Sequence, residues 1–176
     1  LEPGSYLSVI ARAEPENSLL EIVEGFSRKP RGMKLAVLGK YEDGNAYHQA
    51  VKAAAGNEVM FLGAIYDKKV VQALRFHSAA YVHGHQVGGT NPSLVEALGA
   101  GNAVIAHDNR FNRWVAGPGA AFFDGAAGFA TQLDAILADP TRLDSMRKAS
   151  RERFLAEFQW EKILSEYETL LLKYQK

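Results

Sequence analysis

Residues 79–99 read AAYVHGHQVGGTNPSLVEALG, and this stretch decides how the rest of the chain is interpreted. It opens as a short apolar strand, and glycines that permit tight turns follow it. These glycines are Gly84, Gly88 and Gly89. A helix comes next, because Thr90 or Asn91 can cap it and Pro92 suits a first helical position. Its unpaired N–H groups favour an anion such as phosphate, although a glycine-rich turn can also serve folding alone.

Working outward from this stretch, short apolar strands alternate with amphipathic helices along the whole chain. Six strands are predicted, at residues 6–11, 33–39, 59–63, 79–82, 103–106 and 121–123. Helices are predicted near 18–29, 46–55, 67–76, 91–99 and 112–115, and from 127 to the end with breaks near 139 and 159. The alternation predicts an α/β fold, a three-layer, doubly wound Rossmann-like domain with a six-strand parallel sheet. The common strand order for such a sheet is 3-2-1-4-5-6.

That order places the first and fourth strands side by side, where the winding of the sheet reverses. Ligands of doubly wound sheets bind at this point, beyond the carboxyl ends of the strands. The loop after the first strand carries Arg12, Glu14 and Glu16, and the loop after the fourth carries residues 83–91. Because a guanidinium and a helix N-terminus converge there, we expect an anionic ligand.

Composition excludes several classes of function. The chain has 176 residues, of which 47% are apolar and 23% are charged, as in an ordinary globular domain. Twenty basic residues balance twenty acidic ones, so the chain has no net positive charge that would attract nucleic acid. The absence of cysteine excludes disulfides and fits a reducing compartment. No apolar run is long enough to span a bilayer. We therefore expect a cytoplasmic protein, peripheral to the inner face of the membrane at most.

Nucleotide-binding signatures of other families are missing. The loop after the first strand lacks G-x-G-x-x-G, and no G-x-x-x-x-G-K-[ST] occurs. Instead, an ordered set of motifs resembles the C-terminal, donor-binding half of a retaining GT-B glycosyltransferase of group 1. The motifs are Arg12-Ala13-Glu14-Pro15-Glu16-Asn17, Phe61-Leu62-Gly63, the segment 88–98, Gly101-Asn102-Ala103-Val104-Ile105-Ala106 and Phe158-Gln159-Trp160-Glu161. The sequence of residues 83–94 resembles the corresponding loop of bacterial rhamnosyl- or mannosyltransferases.

The resemblance implies which residues bind a nucleoside diphosphate sugar. These donor-binding residues are Arg12, Asn17, Gly63, Ile65, Gly88, Gly89, Thr90, Asn91 and Glu96. Glu96 matches the acid that accepts hydrogen bonds from the ribose hydroxyls, and residues 89–91 match the segment whose backbone binds the distal phosphate. Arg12 matches the basic residue that pairs with the diphosphate, and with His85 it is the predicted catalytic pair. The nucleobase is expected near residues 63–66.

Two positions depart from the family pattern. The acid that contacts the transferred sugar should stand eight residues before Glu96, where this chain has Gly88. The lysine of the diphosphate clamp should stand near the uncharged Asn17. The sugar contacts and part of the clamp are therefore not assigned by the resemblance.

Three histidines and two arginines lie near the same edge. His83, His85 and His107 follow the fourth and fifth strands, but no further ligand completes a metal site, so contact with the donor or a structural role is preferred. Arg110 and Arg113 are expected to contact a phosphate or to be solvated. No cofactor is expected other than the donor substrate.

The functional prediction is the transfer of a hexose or deoxyhexose to a glycan or lipid-linked acceptor. Residues 1–176 would form the donor domain of a longer chain, and the acceptor domain would be missing, so the isolated fragment would be inactive. The apolar stripe 160–171 is expected in the core, or against that missing domain. A non-catalytic nucleotide-sugar-binding or scaffolding subunit is the alternative, and a dehydrogenase or sugar epimerase is a third reading.

Overall fold

A single parallel sheet of six strands organises the chain. The structure is a computed structural model that describes residues 1–174, so the last two residues of the final predicted helix lie outside the described range. The strands are β1 (Tyr6–Ile10), β2 (Lys34–Leu38), β3 (Val59–Gly63), β4 (Ala80–His83), β5 (Ala103–His107) and β6 (Ala121–Phe123). All pairings are parallel, and the strand order is β3-β2-β1-β4-β5-β6. The predicted fold class and strand order are both confirmed.

Helices connect the strands and cover both faces of the sheet. They are α1 (Leu19–Ser27), α2 (Ala46–Ala53), α3 (Lys68–His77), α4 (Pro92–Gly99), α5 (Arg110–Ala116), α6 (Gly125–Leu137), α7 (Pro140–Glu157) and α8 (Trp160–Leu172), and a 3-10 helix spans Pro15–Asn17. Polar side chains accept backbone N–H groups at most of the helix starts, as short Asn and Asp side chains favour. These caps are Asn45, Asp67, Asn91, Asn109 and Asp139.

The core lies on both sides of the sheet because successive strand residues point to opposite faces. In β5, Ala103 and Ile105 join the core under α1 and α6, whereas Val104 and Ala106 join the core under α4 and α5. Buried parallel strands need apolar residues on both faces, and this requirement explains the nearly continuous apolar strands in the sequence.

The start of α1 and the apolar face of α8 both differ from the usual pattern of a helix in a globular domain. No side chain caps the start of α1, because the Ser18 hydroxyl donates to the carbonyl of Gly84 and the Asn17 amide donates to the carbonyl of Arg12. The stripe on α8 does not lie in the core, since none of its residues is buried and Trp160 is 72% exposed, and its other expected position, against a missing domain, stays a prediction. Helical spacing predicts an apolar face but not what covers it, and α8 follows after the other helices have covered the sheet. Within residues 1–174 no helix is long and apolar enough to cross a membrane.

Candidate functional site

The loops after β1 and β4 meet at the carboxyl edge of the sheet, as predicted. The Ser18 hydroxyl donates to the carbonyl of Gly84 over 2.8 Å, and the backbone N–H of Gln86 donates to the carbonyl of Glu16 over 2.8 Å. The Gln86 amide also donates to the Ser18 hydroxyl over 3.0 Å. These bonds fix the second loop against the first, so that groups on both loops share one crevice.

Gly84 is required by this close approach. A Cβ at this position would stand 2.0 Å from the backbone oxygen of Asn17 and 2.8 Å from Cδ1 of Ile22. Gly88 has a different requirement, because its φ of +117° lies in a region that residues with a side chain rarely adopt. Gly84 thus serves folding, and an acid at position 88 would strain the backbone.

Arg12 lies at the mouth of the crevice with its guanidinium in solvent. Its side chain is 80% exposed, and Glu16 lies 3.7 Å away as a loose ion pair. Asn17 is buried beneath this loop, where its amide donates to the carbonyl of Arg12 over 2.9 Å. Asn17 therefore orders the loop that carries Arg12, while Arg12 itself is free to reach a ligand.

Three side chains on one face of β4 and its extension form an aromatic column. Tyr81, His83 and His85 alternate along the strand, and the two imidazole rings stack with centroids 4.2 Å apart and planes 12° apart. His83 is fully buried with neither ring nitrogen hydrogen-bonded, and Nδ1 of His85 is also buried without a partner. The column ends at His85, on the loop after β4 that is hydrogen-bonded to the loop after β1.

The surroundings of both histidines favour the uncharged form of the imidazole. Burial holds the pKa of His83 well below its usual range, and the neighbouring His85 adds to this effect. Burial also lowers the pKa of His85, the positive charge of Arg12 lowers it further, and Glu16 opposes them. The charge of Arg12 therefore acts on His85, the other predicted catalytic residue. A neutral imidazole beside a guanidinium can donate one hydrogen bond without repelling that cation.

The carbonyl of His85 is anchored to the loop after β5. The amides of Asn109 and Asn112 donate to it over 2.9 and 2.8 Å, and Asn112 also donates to the carbonyl of His107. Arg113 is occupied by a two-pronged ion pair with Asp108. In the described part of the chain, no group of three or more His, Asp or Glu side chains is arranged to hold a metal ion.

A cavity of about 550 Å³ opens beyond the ends of β1, β2 and β3. Arg12 and Ile65 line it, and the nearby carbonyl of Gly63 accepts the backbone N–H of Gly39 over 3.0 Å. His48 lines the same cavity, with Nδ1 accepting the N–H of Glu42 and Nε2 lying 2.8 Å from the carbonyl of Ala13. Those two bonds require the neutral tautomer with its proton on Nε2.

The start of α4 is built as predicted. Asn91 caps the helix, because its side-chain oxygen accepts the N–H and the hydroxyl of Ser93, each over 3.0 Å. Pro92 occupies the first helical position. The hydroxyl of Tyr81 donates to Ser93 Oγ over 3.0 Å, which ties the aromatic column to the helix start. Burial raises the pKa of Tyr81 to about 12, so this hydroxyl stays protonated.

Glu96 lies farther along α4 and is already paired. Its Oε2 lies 2.7 Å from Nη2 of Arg75, a side chain that is 4% exposed, whereas the side chain of Glu96 is 59% exposed. Glu96 and Thr90 line a second cavity of about 730 Å³ between α3, α4 and the C-terminal helices. Aromatic side chains form much of its wall, namely Phe76, Phe154, Phe158 and Trp160.

Residues 3–153 match the family described as glycosyl transferases group 1. The chain belongs to this family. A search of the curated proteins found no match.

Solved structures agree with this group 1 domain in fold. Sucrose-phosphate synthase from Thermosynechococcus elongatus is similar over 98% of this chain and 45% of its own, with a TM-score of 0.83 and 21% identity. Anabaena Alr3699/HepE in complex with UDP gives a TM-score of 0.84 at 15% identity, over 97% of this chain and 49% of its own. The C-terminal domain of the group 1 protein LpcC from Francisella tularensis gives 0.74 at 18% identity, over 90% and 89%. This chain therefore spans less than half the length of the first two proteins.

The predicted site residues of the group 1 domain fall into two groups. Arg12 and Ile65 line the first cavity, whereas Thr90 and Glu96 line the second. The predicted Gly89 lies in open space on the loop between them. Sequence reasoning missed Arg75 and His48, since neither lies in a motif and only the fold brings them to the site. The helical spacing of α3 carried no sign that Arg75 points inward.

Proposed function

We propose that this domain binds the nucleoside diphosphate sugar of a glycosyltransferase between the loops after β1 and β4. The observation that carries the proposal is the exposed guanidinium of Arg12 on a loop that is hydrogen-bonded to the loop after β4, at the edge where α4 begins. Phosphate oxygens suit a planar guanidinium, which can bind two of them at once, and they suit the unpaired N–H groups of a helix start.

The chemistry assigned to these groups is electrostatic. During transfer, the bond between the sugar and the diphosphate breaks, and negative charge grows on the departing oxygen. Arg12 and the backbone of residues 89–91 stabilise that charge, since donors fixed in advance need no reorganisation. His85 donates a hydrogen bond to the sugar or its phosphate. The reaction proposed is a retaining transfer of a hexose or deoxyhexose, such as a mannosyl or rhamnosyl group, with no cofactor besides the donor.

The remaining parts of the donor are assigned by position. The nucleobase enters the first cavity against main-chain groups of residues 63–66, with Ile65 in its wall. The ribose is held by Glu96, whose carboxylate is more than half exposed. Gly88 provides the turn that brings the loop to the diphosphate, and Asn17 supports Arg12 from below. Alr3699/HepE has UDP in its structure, and this supports a nucleotide ligand here.

The acceptor is assigned to a domain outside this chain. We propose a glycan or lipid-linked acceptor held by an N-terminal domain, which fits a chain that spans 45% of sucrose-phosphate synthase. Residues 1–176 would then bind the donor but not complete the transfer. The cytoplasmic location and a peripheral position at the membrane stay predictions.

One observation favours a second function, that of a non-catalytic nucleotide-sugar-binding or scaffolding subunit. The family places a sugar-binding acid where this chain has Gly88, and the positive φ at that residue suits glycine rather than glutamate. Such a subunit would use Arg12 and Glu96 to bind the nucleotide. It would bind a nucleotide sugar no more tightly than the nucleoside diphosphate alone.

Calorimetric titration separates the two functions. A thermal-shift screen first selects the base, since a ligand of the native state raises the melting temperature. The selected nucleoside diphosphate is then compared with its nucleotide sugars. Tighter binding of a nucleotide sugar supports the transferase, and equal affinity supports the scaffold. Arg12→Ala should weaken binding roughly 10- to 100-fold, because charged hydrogen bonds contribute about 1.5–3 kcal/mol. Arg28→Ala, an exposed arginine at the far end of α1, is the matched control.

A further inference from the structure

His48 is a buried polar side chain that the proposed function does not use. It lies in the first turn of α2, is 6% exposed and forms part of the wall of the first cavity. Its Nε2 donates to the carbonyl of Ala13 over 2.8 Å, and its Nδ1 accepts the backbone N–H of Glu42 over 2.9 Å. One imidazole ring therefore joins the loop after β1 to the loop after β2.

Both of these loops form walls of the first cavity. Ala13 follows Arg12 directly, and both residues line the cavity. The loop after β2 supplies Lys40, Glu42 and Asn45 to the opposite wall. The last backbone hydrogen bond between the two segments is the one that Ala11 donates to the carbonyl of Leu38. Beyond it, the hydrogen bonds that join the two loops within residues 1–174 all pass through the ring of His48.

The ring itself is held in place by its neighbours. Tyr41 packs edge-on against the His48 ring, with centroids 5.4 Å apart, and also against Phe61 of β3, with centroids 4.9 Å apart. Asn45 caps α2 and accepts the backbone N–H of His48. Because the imidazole has a fixed position, its two hydrogen bonds also fix the spacing of the two loops.

We propose that His48 is a positioning residue for the donor, which holds the loop with Arg12 and the loop with Glu42 at the spacing that a nucleobase between them requires. This inference rests on the proposed function and adds to it a residue outside the motifs of the sequence. The gain in affinity comes from preorganisation, since loops that are already ordered lose less conformational freedom when a ligand binds.

The first test removes both hydrogen bonds. Calorimetry of the wild type with UDP, GDP, ADP, CDP and thymidine diphosphate selects the nucleotide that binds best. His48→Leu should bind that nucleotide about tenfold more weakly, because the two loops must then be ordered at the expense of binding. Wild-type affinity in His48→Leu, with circular dichroism showing that the variant is folded, would overturn the inference.

Two conservative variants separate the two bonds. The amide of His48→Asn ends where Nδ1 lies, so its oxygen can accept from Glu42, and the amide of His48→Gln ends where Nε2 lies, so its nitrogen can donate to Ala13. Each variant keeps one bond and should bind the nucleotide about threefold more weakly than the wild type. If neither bound more tightly than His48→Leu, the two hydrogen bonds would not be the cause of the loss. Should His48→Leu not fold, wild-type affinity in both conservative variants would overturn the inference.

Tyr47→Phe is the matched control. Tyr47 is the neighbouring residue of α2, and its hydroxyl accepts the backbone N–H of Leu20 over 3.2 Å, at the start of α1 rather than in the wall of the first cavity. The variant should be less stable in urea and keep the nucleotide affinity within about twofold of the wild type. If Tyr47→Phe weakened binding as much as His48→Leu, the loss would reflect general destabilisation and the positioning role would be refuted.

Failure of this inference and failure of the proposed function give different results. If none of the five nucleotides binds to the wild type, the proposed function is wrong and the inference falls with it. If the wild type binds a nucleotide and Arg12→Ala weakens that binding, while every His48 variant keeps wild-type affinity, the inference alone is wrong.

Discussion

Replacing Gly84 with alanine tests the junction on which the site is built. The new Cβ would stand 2.0 Å from the backbone oxygen of Asn17 and 2.8 Å from Cδ1 of Ile22. Non-bonded carbon atoms prefer about 3.5–4.0 Å, so the Ile22 methyl must retreat by roughly 0.7 Å or more. The Asn17 backbone must move farther still, and it carries the loop with Arg12.

Such overpacking costs about 1–3 kcal/mol of the free energy of unfolding. Because the shift displaces the loop that carries Arg12, nucleotide affinity should also fall, by about tenfold or more. Urea denaturation gives the stability change, and calorimetry with a nucleoside diphosphate gives the affinity. Gly44→Ala is the control, since nothing lies within 4 Å of a Cβ there. If Gly84→Ala matched Gly44→Ala in both measurements, the described contact between the loops would be wrong.

Three further predictions concern other parts of the fold. The free energy of unfolding of the wild type should fall as the pH drops below about 6.5, because burial lowers the pKa of His83 and the unfolded histidine takes up protons more readily. In His83→Leu this fall should be smaller. The wild type should lose up to about 1.4 kcal/mol of its free energy of unfolding per pH unit through this residue. Urea denaturation from pH 5 to 8 measures this loss. The prediction is contradicted if the free energy of unfolding depends on pH in the same way in both proteins. Asn112→Ala should cost about 1–3 kcal/mol in urea, since its amide satisfies two backbone carbonyls, whereas the exposed Arg110→Ala should cost little. Leu164→Asp should change stability by no more than about 0.5 kcal/mol, while Leu133→Ala in the core costs about 2–5 kcal/mol; a large loss for Leu164→Asp would show that α8 is covered.

The strand order could be predicted because it follows from local signals and one general rule. Each βα unit has an apolar strand that ends at a polar or glycine-rich turn, and right-handed crossovers leave few topologies. The junction of the loops after β1 and β4 then follows without any knowledge of side chains. The cap at Asn91 was equally local, since it depends on residues two positions apart.

Partners distant in sequence could not be predicted in the same way. Arg75 on α3 contacts Glu96 on α4, and the Arg75 side chain points inward only because of how α3 packs on the sheet. Asn17 was assigned to the ligand from its place in a motif, but the close approach of Gly84 buries it. The stripe on α8 shows the same limit, because periodicity defines an apolar face without naming its cover.

The most direct test of the central claim is the position of a nucleoside diphosphate in crystals of this domain. The account predicts the diphosphate within hydrogen-bond distance of the Arg12 guanidinium and of backbone N–H groups in residues 89–91, with His85 alongside. A diphosphate bound away from Arg12, or a nucleotide confined to the cavity walled by Phe76 and Trp160, would contradict it.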